Sequence, residues 1–246
     1  MIKSSTQLTV ILPAAGKGSR LNLPYPKEIM RVDHSNALID YSFLLFSKIQ
    51  KEDIRFVVII NESKTDVVRY LGKYKDRFDI SFTYQKSNET EYTGAIKSAR
   101  HLFGETNIVL LPDSVLTLPK GINLINEINL KLRKTGFGFL CKPENDLDLL
   151  RTKGCLKLSK EMCVVQYEDK PDSDVERFNA YWCAFAFKKE VFDQSIAFME
   201  QSTLKMNCNK IDIKDTAIFE SEIIKVEQYK DLGTWGEIGN LIATHP

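Results

Sequence analysis

LTVILPAAGKGSRLNLPYPKE, residues 8–28, joins a short apolar run to a segment holding two glycines, an arginine and two lysines. Leu8 to Leu12 has no polar alternation, the pattern of a strand covered on both faces. The residues after it, Pro13, Ala14, Ala15, Gly16, Lys17, Gly18 and Ser19, carry small side chains or none apart from one lysine. Small residues let backbone N–H groups approach a polyanion and a planar base, and a nest of such donors is an anion site in its own right. Arg20 can fork two hydrogen bonds onto phosphate oxygens, and Lys27 adds a compact charge. Two familiar phosphate motifs are excluded by spacing. A P-loop needs four residues between its first glycine and Gly-Lys-Ser/Thr, and a dinucleotide fingerprint needs a small residue where Leu21 stands. A loop suited to a triphosphate remains, with a glycine-rich turn bearing solvated charges as its bland alternative.

Working outward, Leu38–Ile49 is long enough for a buried helix and Phe56–Ile60 is again continuous apolar β, which completes one βαβ unit. Helices are expected over Thr65–Tyr74 and Thr93–Phe103, and strands over Ile80–Tyr84 and Ile108–Leu111. After Asp113 the alternation loosens. Gly121–Leu132 and Val191–Met199 read as helices. Phe137–Leu140, Met162–Tyr167, Ala180–Phe187 and Glu222–Val226 read as strands, with the aromatics at 181, 185 and 187 sharing one face. The fold class expected is α/β: a Rossmann-like mixed, mostly parallel sheet flanked by helices, with a smaller β-rich extension. With no linker, repeat or low-complexity tract, residues 1–246 read as a single domain. A nucleotide-binding half covers about 1–115 and an acceptor-binding half about 116–246.

Composition narrows the partners. Lys and Arg number 34 against 33 Asp and Glu, so the net charge of +1 offers no field for nucleic acid or a membrane surface, and a small-molecule partner is expected. Cys141, Cys155, Cys163, Cys183 and Cys208 form no C-x-x-C pair and read as reduced thiols. The first seven residues lack the basic start and apolar stretch of a signal peptide, and no window is apolar enough for a membrane span, so a cytoplasmic location is expected. His34, His101 and His245 have no partners at ligand spacing and receive no role.

Five segments, in order, carry a resemblance. Leu12-Pro-Ala-Ala-Gly-Lys-Gly-Ser-Arg20 followed by Pro26-Lys27-Glu28 is similar to the signature loop of the sugar-1-phosphate nucleotidyltransferases, which join a nucleoside triphosphate to a sugar 1-phosphate and release pyrophosphate. Tyr84-Gln85 with Thr93-Gly94-Ala95-Ile96 resembles the family's base-reading segment, and Val109-Leu-Leu-Pro-Asp113 its metal-bearing strand end. Glu168-Asp169-Lys170-Pro171 with Asn179-Ala180 resembles its sugar-phosphate segment, and Asp231-Leu-Gly-Thr234 its closing Asp-x-Gly-Thr. The resemblance implies that Pro13 through Ser19, Gln85 and Gly94 bind the nucleotide and that Arg20 and Lys27 are catalytic. It further implies that Gly154, Asp169, Lys170 and Asn179 bind the acceptor, and that Asp113 and Asp231 hold Mg2+. Asp113 also stands at a strand's carboxyl end, where ligands bind in open α/β sheets; Asp231 rests mainly on the resemblance.

The chemistry needs no nucleophilic side chain, because the acceptor phosphate is already an anion. It needs cancellation of repulsion between two polyanions and in-line alignment, which a divalent ion on one or two carboxylates assists. Trp182 and Trp235 could flank a sugar face, although Trp182 lies in an aromatic strand that reads as core. Only six residues separate Arg20 from Lys27, which is closer to N-acetylhexosamine-1-phosphate uridylyltransferases and alcohol-phosphate cytidylyltransferases. The Pro13-Ala14-Ala15 and Asp169-Lys170-Pro171 segments lean instead toward the UTP:glucose-1-phosphate branch. UTP, dTTP and CTP therefore all stay open, as does the acceptor. A cytidylyltransferase acting on a polyol or other non-sugar phosphate is the alternative, and a non-catalytic nucleotide-binding regulator a more distant one. The expected product is an activated sugar for polysaccharide synthesis; oligomeric state, a homo-oligomer included, stays open.

Overall fold

The computed structural model describes residues 7–203 and 217–244; residues 1–6, Cys208 and His245 lie outside the described residues. In chain order the elements are β1 (Leu8–Pro13), α1 (Asp40–Leu44), β2 (Ile54–Ile60), α2 (Thr65–Leu71), β3 (Asp79–Tyr84), α3 (Glu91–Ser98), β4 (Thr106–Val109) and β5 (Ser114–Thr117). There follow α4 (Leu124–Lys131), β6 (Phe137–Pro143), α5 (Leu147–Leu150), β7 (Gly154–Leu158), β8 (Val164–Asp169) and β9 (Ala180–Lys188). Last come α6 (Phe192–Thr203), β10 (Ile224–Lys225), β11 (Gln228–Asp231) and α7 (Trp235–Thr244). The fold is α/β, with a mixed, mostly parallel sheet flanked by helices and a second, small antiparallel sheet. Among the described residues no helix is long and apolar enough to cross a membrane.

The chain divides into two compact units, and not at residue 115. Unit 1 holds residues 7–104, Val109–Thr117 and 228–244; unit 2 holds Glu105–Ile108 and Leu118–Glu227. The C-terminal segment thus returns to the first unit.

In unit 1, β1 pairs in parallel with β2 and β2 with β3, so their carboxyl ends share one edge. All six residues of β1 are buried, as are all of β2 except Arg55, which is why both read as unbroken apolar runs. The helix expected over 38–49 is shorter. Beyond Leu44 the chain tightens into i→i−3 turns: Phe46 N–H donates to Phe43 O, Ser47 to Leu44 and Ile49 to Phe46. Side chains three apart eclipse in such turns. Phe43 and Phe46 accordingly both reach Phe56, one stacked at 4.1 Å and the other edge-on at 5.8 Å. The buried Asp40 carboxylate, taken up by Ala37 N–H, Tyr70 OH, Lys73 Nζ and Tyr74 OH, ties α1 to the α2 segment.

In unit 2, β6 pairs antiparallel with β9, β7 with β8 and β9, and β10 in parallel with β6. The register of β6 and β9 slips: Leu140 faces Ala184 but Cys141 faces Trp182, so Cys183 is an extra residue. A one-residue slip turns every later side chain to the other face. Trp182, not Tyr181, therefore joins Phe185 and Phe139, each at 6.2 Å, while Tyr181 lies under Lys142 on the opposite face. The shared face expected for 181, 185 and 187 is corrected to 182, 185 and 187.

Candidate active site

The loop after β1 is held at its start by main-chain bonds. Ala14 N–H donates to Ile59 O at 2.8 Å, and Asn61 Nδ2 donates to Ala15 O at 2.5 Å. Ala14 and Ala15 are buried, whereas Gly16, Lys17, Ser19 and Arg20 are exposed and Gly18 half-buried. Gly18 adopts φ +67°, a left-handed turn that favours glycine, and its bare side packs on the Lys27 stem. A Cβ at Gly16 would meet nothing within 4 Å, so one side of the loop stays open for a ligand to approach.

A short ribbon brings the main chains at the two acids together. β5 pairs antiparallel with β11, which sets Asp231 opposite Ser114, the residue after Asp113; Leu232 N–H then donates to Asp113 O at 2.8 Å. The Lys27 ammonium donates to Asp113 Oδ2, and both side chains are largely buried. Asp231 Oδ1 accepts from Gly233 N–H at 3.0 Å. A Cβ at Gly233 would lie 3.0 Å from that oxygen and 3.2 Å from Arg20 Nη2, so the guanidinium and the carboxylate flank one glycine. Arg20, Lys27, Asp113 and Asp231 all belong to unit 1.

Two further supports position the cations. Leu21, just past Arg20, is buried with Met30, Val32, Leu38, Leu232, Ile238 and Leu241, and its carbonyl accepts from Trp235 Nε1 at 3.2 Å. Trp235 is half-exposed and braces the loop from the first turn of α7, which Thr234 caps: its Oγ1 accepts from Glu237 N–H at 3.4 Å and donates to Glu237 Oε2 at 2.9 Å. Glu28, next to Lys27, is fully buried against Lys64 Nζ at 2.7 Å. Burial raises the Glu28 carboxyl above its usual range, and Lys64 opposes that shift.

Gln85 and Gly94, the expected base-reading pair, both contact the loop before α3. Gln85 Nε2 donates to Glu89 O and Glu91 O, so its hydrogens order the loop before α3 and Oε1 is the atom it can present to a base. Gly94 sits where a Cβ would be 2.7 Å from the Glu89 backbone, and that close approach of Glu89 is what requires glycine.

The acceptor candidates lie in unit 2. Gly154 and Asp169 are paired in the β7–β8 hairpin, and Lys170 follows at φ +50°, with its N–H donating to Lys153 O at 2.9 Å. At Gly154 a Cβ would stand 2.1 Å from Trp182 Nε1, so this glycine admits the indole, which donates to Tyr167 OH at 3.3 Å. Asn179 uses its amide as a strand surrogate: Oδ1 accepts from Leu158 N–H at 2.8 Å and Nδ2 donates to Leu158 O at 3.2 Å. Cys155, whose role the sequence leaves open, is a buried thiol donating to Leu150 O at 3.0 Å.

The sequence profile of the nucleotidyl transferases matches residues 8–244. The chain belongs to the nucleotidyl transferase family. No curated protein sequence matches this transferase. Among solved structures it is similar to a protein assigned as a glucose-1-phosphate thymidylyltransferase from Bacillus anthracis in complex with sucrose, at 17% identity and TM-score 0.73, over 97% of this chain and 94% of that one. It is also similar to a UDP-glucose pyrophosphorylase complexed with UDP-glucose (14%, 0.74, 97% and 98%). A UTP-bound UGPase from Acinetobacter baumannii (16%, 0.72, 97% and 93%) is a third. At these identities the likeness is one of fold.

Asn61, Lys64 and the Glu28 side chain went unread in the sequence, although all three grip the transferase's loop. The signal available was positional, since parallel β1 and β2 must end beside each other, but nothing local marks which residue after β2 will reach across. Among the described residues no group of three or more His, Cys, Asp and Glu is arranged to hold a metal. Asp113 and Asp231 are carboxylates, the ligand type through which Mg2+ is commonly bound, with substrate phosphates and waters supplying the rest of its shell.

Proposed function

We propose that this transferase joins a nucleoside triphosphate, UTP or dTTP before CTP, to a sugar 1-phosphate, giving a nucleotide-activated sugar and pyrophosphate. The observation that carries the reading is the β5–β11 pairing, which brings Asp231 beside Asp113 across more than a hundred residues, with Lys27 on one acid and Arg20 near the other. Open backbone at Gly16 and the charges of Arg20 and Lys27 receive the triphosphate, and Gln85 Oε1 accepts from the imide N–H of uracil or thymine. Asp169 and Lys170 are assigned to the acceptor, with the ammonium neutralising its phosphate. Asp113 and Asp231 would hold Mg2+, which when bound supplies charge neutralisation at the phosphates.

In the transfer, the acceptor phosphate oxygen attacks the α-phosphorus and the bond to the pyrophosphate oxygen breaks. Arg20 and Lys27 stabilise the charge developing on the leaving group, and no side chain becomes covalently modified. The solved relatives named for UTP and UDP-glucose support this substrate class, as do the motif segments. A cytoplasmic role in polysaccharide precursor supply is the setting that fits such a product. The test is pyrophosphate release from four NTPs, each against sugar 1-phosphates and non-sugar phosphates, with and without Mg2+. Release that requires both substrates and the ion is expected. Nucleotide binding with no release for any pair would overturn the reading.

A further inference from the structure

The turn that follows β2 touches the nucleotide loop at two places thirteen residues apart. Asn61 Nδ2 donates to Ala15 O at 2.5 Å at the loop's start, and Lys64 Nζ donates to Glu28 Oε2 at 2.7 Å at its end. The turn is itself braced: Asn61 Oδ1 accepts from Ser63 N–H at 2.9 Å and Ser63 Oγ at 2.7 Å, and Lys64 N–H donates to Asn61 O at 3.0 Å. Glu28 is further fixed through its main chain, since its carbonyl accepts from Ile39 N–H at 2.9 Å.

The buried pair is a poor way to add stability. Glu28 and Lys64 are 0% and 2% exposed, and Glu28 Oε1 has no hydrogen-bond partner among the described residues. Taking two charges out of water costs several kcal/mol per ion, on the order of what their attraction returns, and an apolar pair of similar volume is often as stable or more so. What the ion pair does supply is a short, directional link. It fixes the main chain at Glu28, one residue from the lysine whose ammonium reaches Asp113. Between Ala15 and Glu28 the chain is mostly exposed loop, anchored in the core at Leu21, and the two grips hold its ends.

We propose that Asn61 and Lys64 form a two-point clamp, positioning residues that hold the nucleotide loop open to the width of a triphosphate and keep Lys27 in place. This rests on the transferase reading above. The clamp acts through Ala15 O and Glu28 and touches no substrate.

The test uses the full chain. MgUTP, MgdTTP and MgCTP are titrated calorimetrically into the wild type, and the tightest is carried through the variants alongside steady-state kinetics and thermal melts. Asn61→Ser keeps a short acceptor for Ser63 N–H but cannot reach Ala15 O. The double variant Glu28→Gln/Lys64→Met removes the ion pair without leaving a lone buried charge, and Lys64→Arg retains it. For Asn61→Ser and the double variant, nucleotide Kd should weaken about tenfold with one site per chain still filled, and kcat should fall by at least as much. Lys64→Arg should stay within about threefold of wild type. Undiminished stoichiometry excludes an irreversibly misfolded fraction, and melts that show the variant fully folded at the titration temperature exclude reversible unfolding, which would itself weaken the apparent Kd. Should the double variant fail to fold, Asn61→Ser decides on its own. Wild-type Kd and kcat in a folded Asn61→Ser would overturn the clamp and leave the transferase reading standing; a wild type that binds none of the three nucleotides overturns both.

Discussion

Lys27 and Asp113 form the ion pair at the heart of the candidate site in unit 1, and each is expected to matter for turnover more than for folding. Asp113→Asn keeps the shape and loses the charge, while Lys27→Ala leaves the carboxylate without its cation. Pyrophosphate release should fall by about two orders of magnitude or more in either variant, while each chain still melts cooperatively at a midpoint lowered by the loss of one partner of a largely buried ion pair. Unchanged turnover in Asp113→Asn would remove that residue from the site. The thiols give a second residue-scale expectation. Burial pushes Cys141 and Cys155 from the usual value of 9 up to about 12, and Cys183 well above its usual value. Because the folded values lie above the unfolded one, the stability these groups contribute is complete below pH 9 and is lost as pH rises toward 12. In native protein at pH 8, iodoacetamide followed by peptide mass mapping should therefore leave Cys141, Cys155 and Cys183 unmodified and label the partly exposed Cys163. Labelling of Cys155 at the rate of Cys163 would contradict its buried placement.

Among the elements, the short ribbons and bulges do the placing. β5 and β11 are four residues each, too short for a periodic signal, yet their pairing is what sets Asp231 next to Asp113. α7 then packs Ile238 and Leu241 onto Leu21, which holds the stretch between Arg20 and Lys27. In unit 2 the extra residue Cys183 turns Trp182 toward Phe139, and the indole then lies over the bare backbone of Gly154. Gly154→Ala would put a methyl 2.1 Å from Trp182 Nε1. The indole must turn aside and lose its bond to Tyr167 OH, so a destabilisation of about 1–3 kcal/mol is expected in urea unfolding, with a shift in tryptophan emission. An unchanged midpoint and unchanged emission would mean the indole does not occupy that space.

On the scale of the whole molecule, unit 1 is assembled from three separate stretches of chain, and its candidate site is complete only when the last of them returns. Truncation after Glu227 removes Asp231 together with the helix that covers Leu21, Met30, Val32 and Leu38. Such a chain should release no pyrophosphate and should bind a hydrophobic dye that the intact protein excludes, because several apolar side chains lose their cover at about 1.5–3 kcal/mol each. Retained activity would show that the returning segment is dispensable. What the sequence determined by itself was whatever local pattern specifies. Continuous apolar runs marked β1 and β2, small residues marked the loop of Pro13 to Ser19, and the step from IVLLP to Asp113 marked a strand end, all within windows of a few residues. Only the tertiary structure decided which distant groups meet: Asp231 with Asp113, Lys64 with Glu28, Trp182 with Gly154. Those meetings depend on strand register and on the order in which segments return, and no short stretch of sequence encodes either, because pairing energy comes from both partners at once.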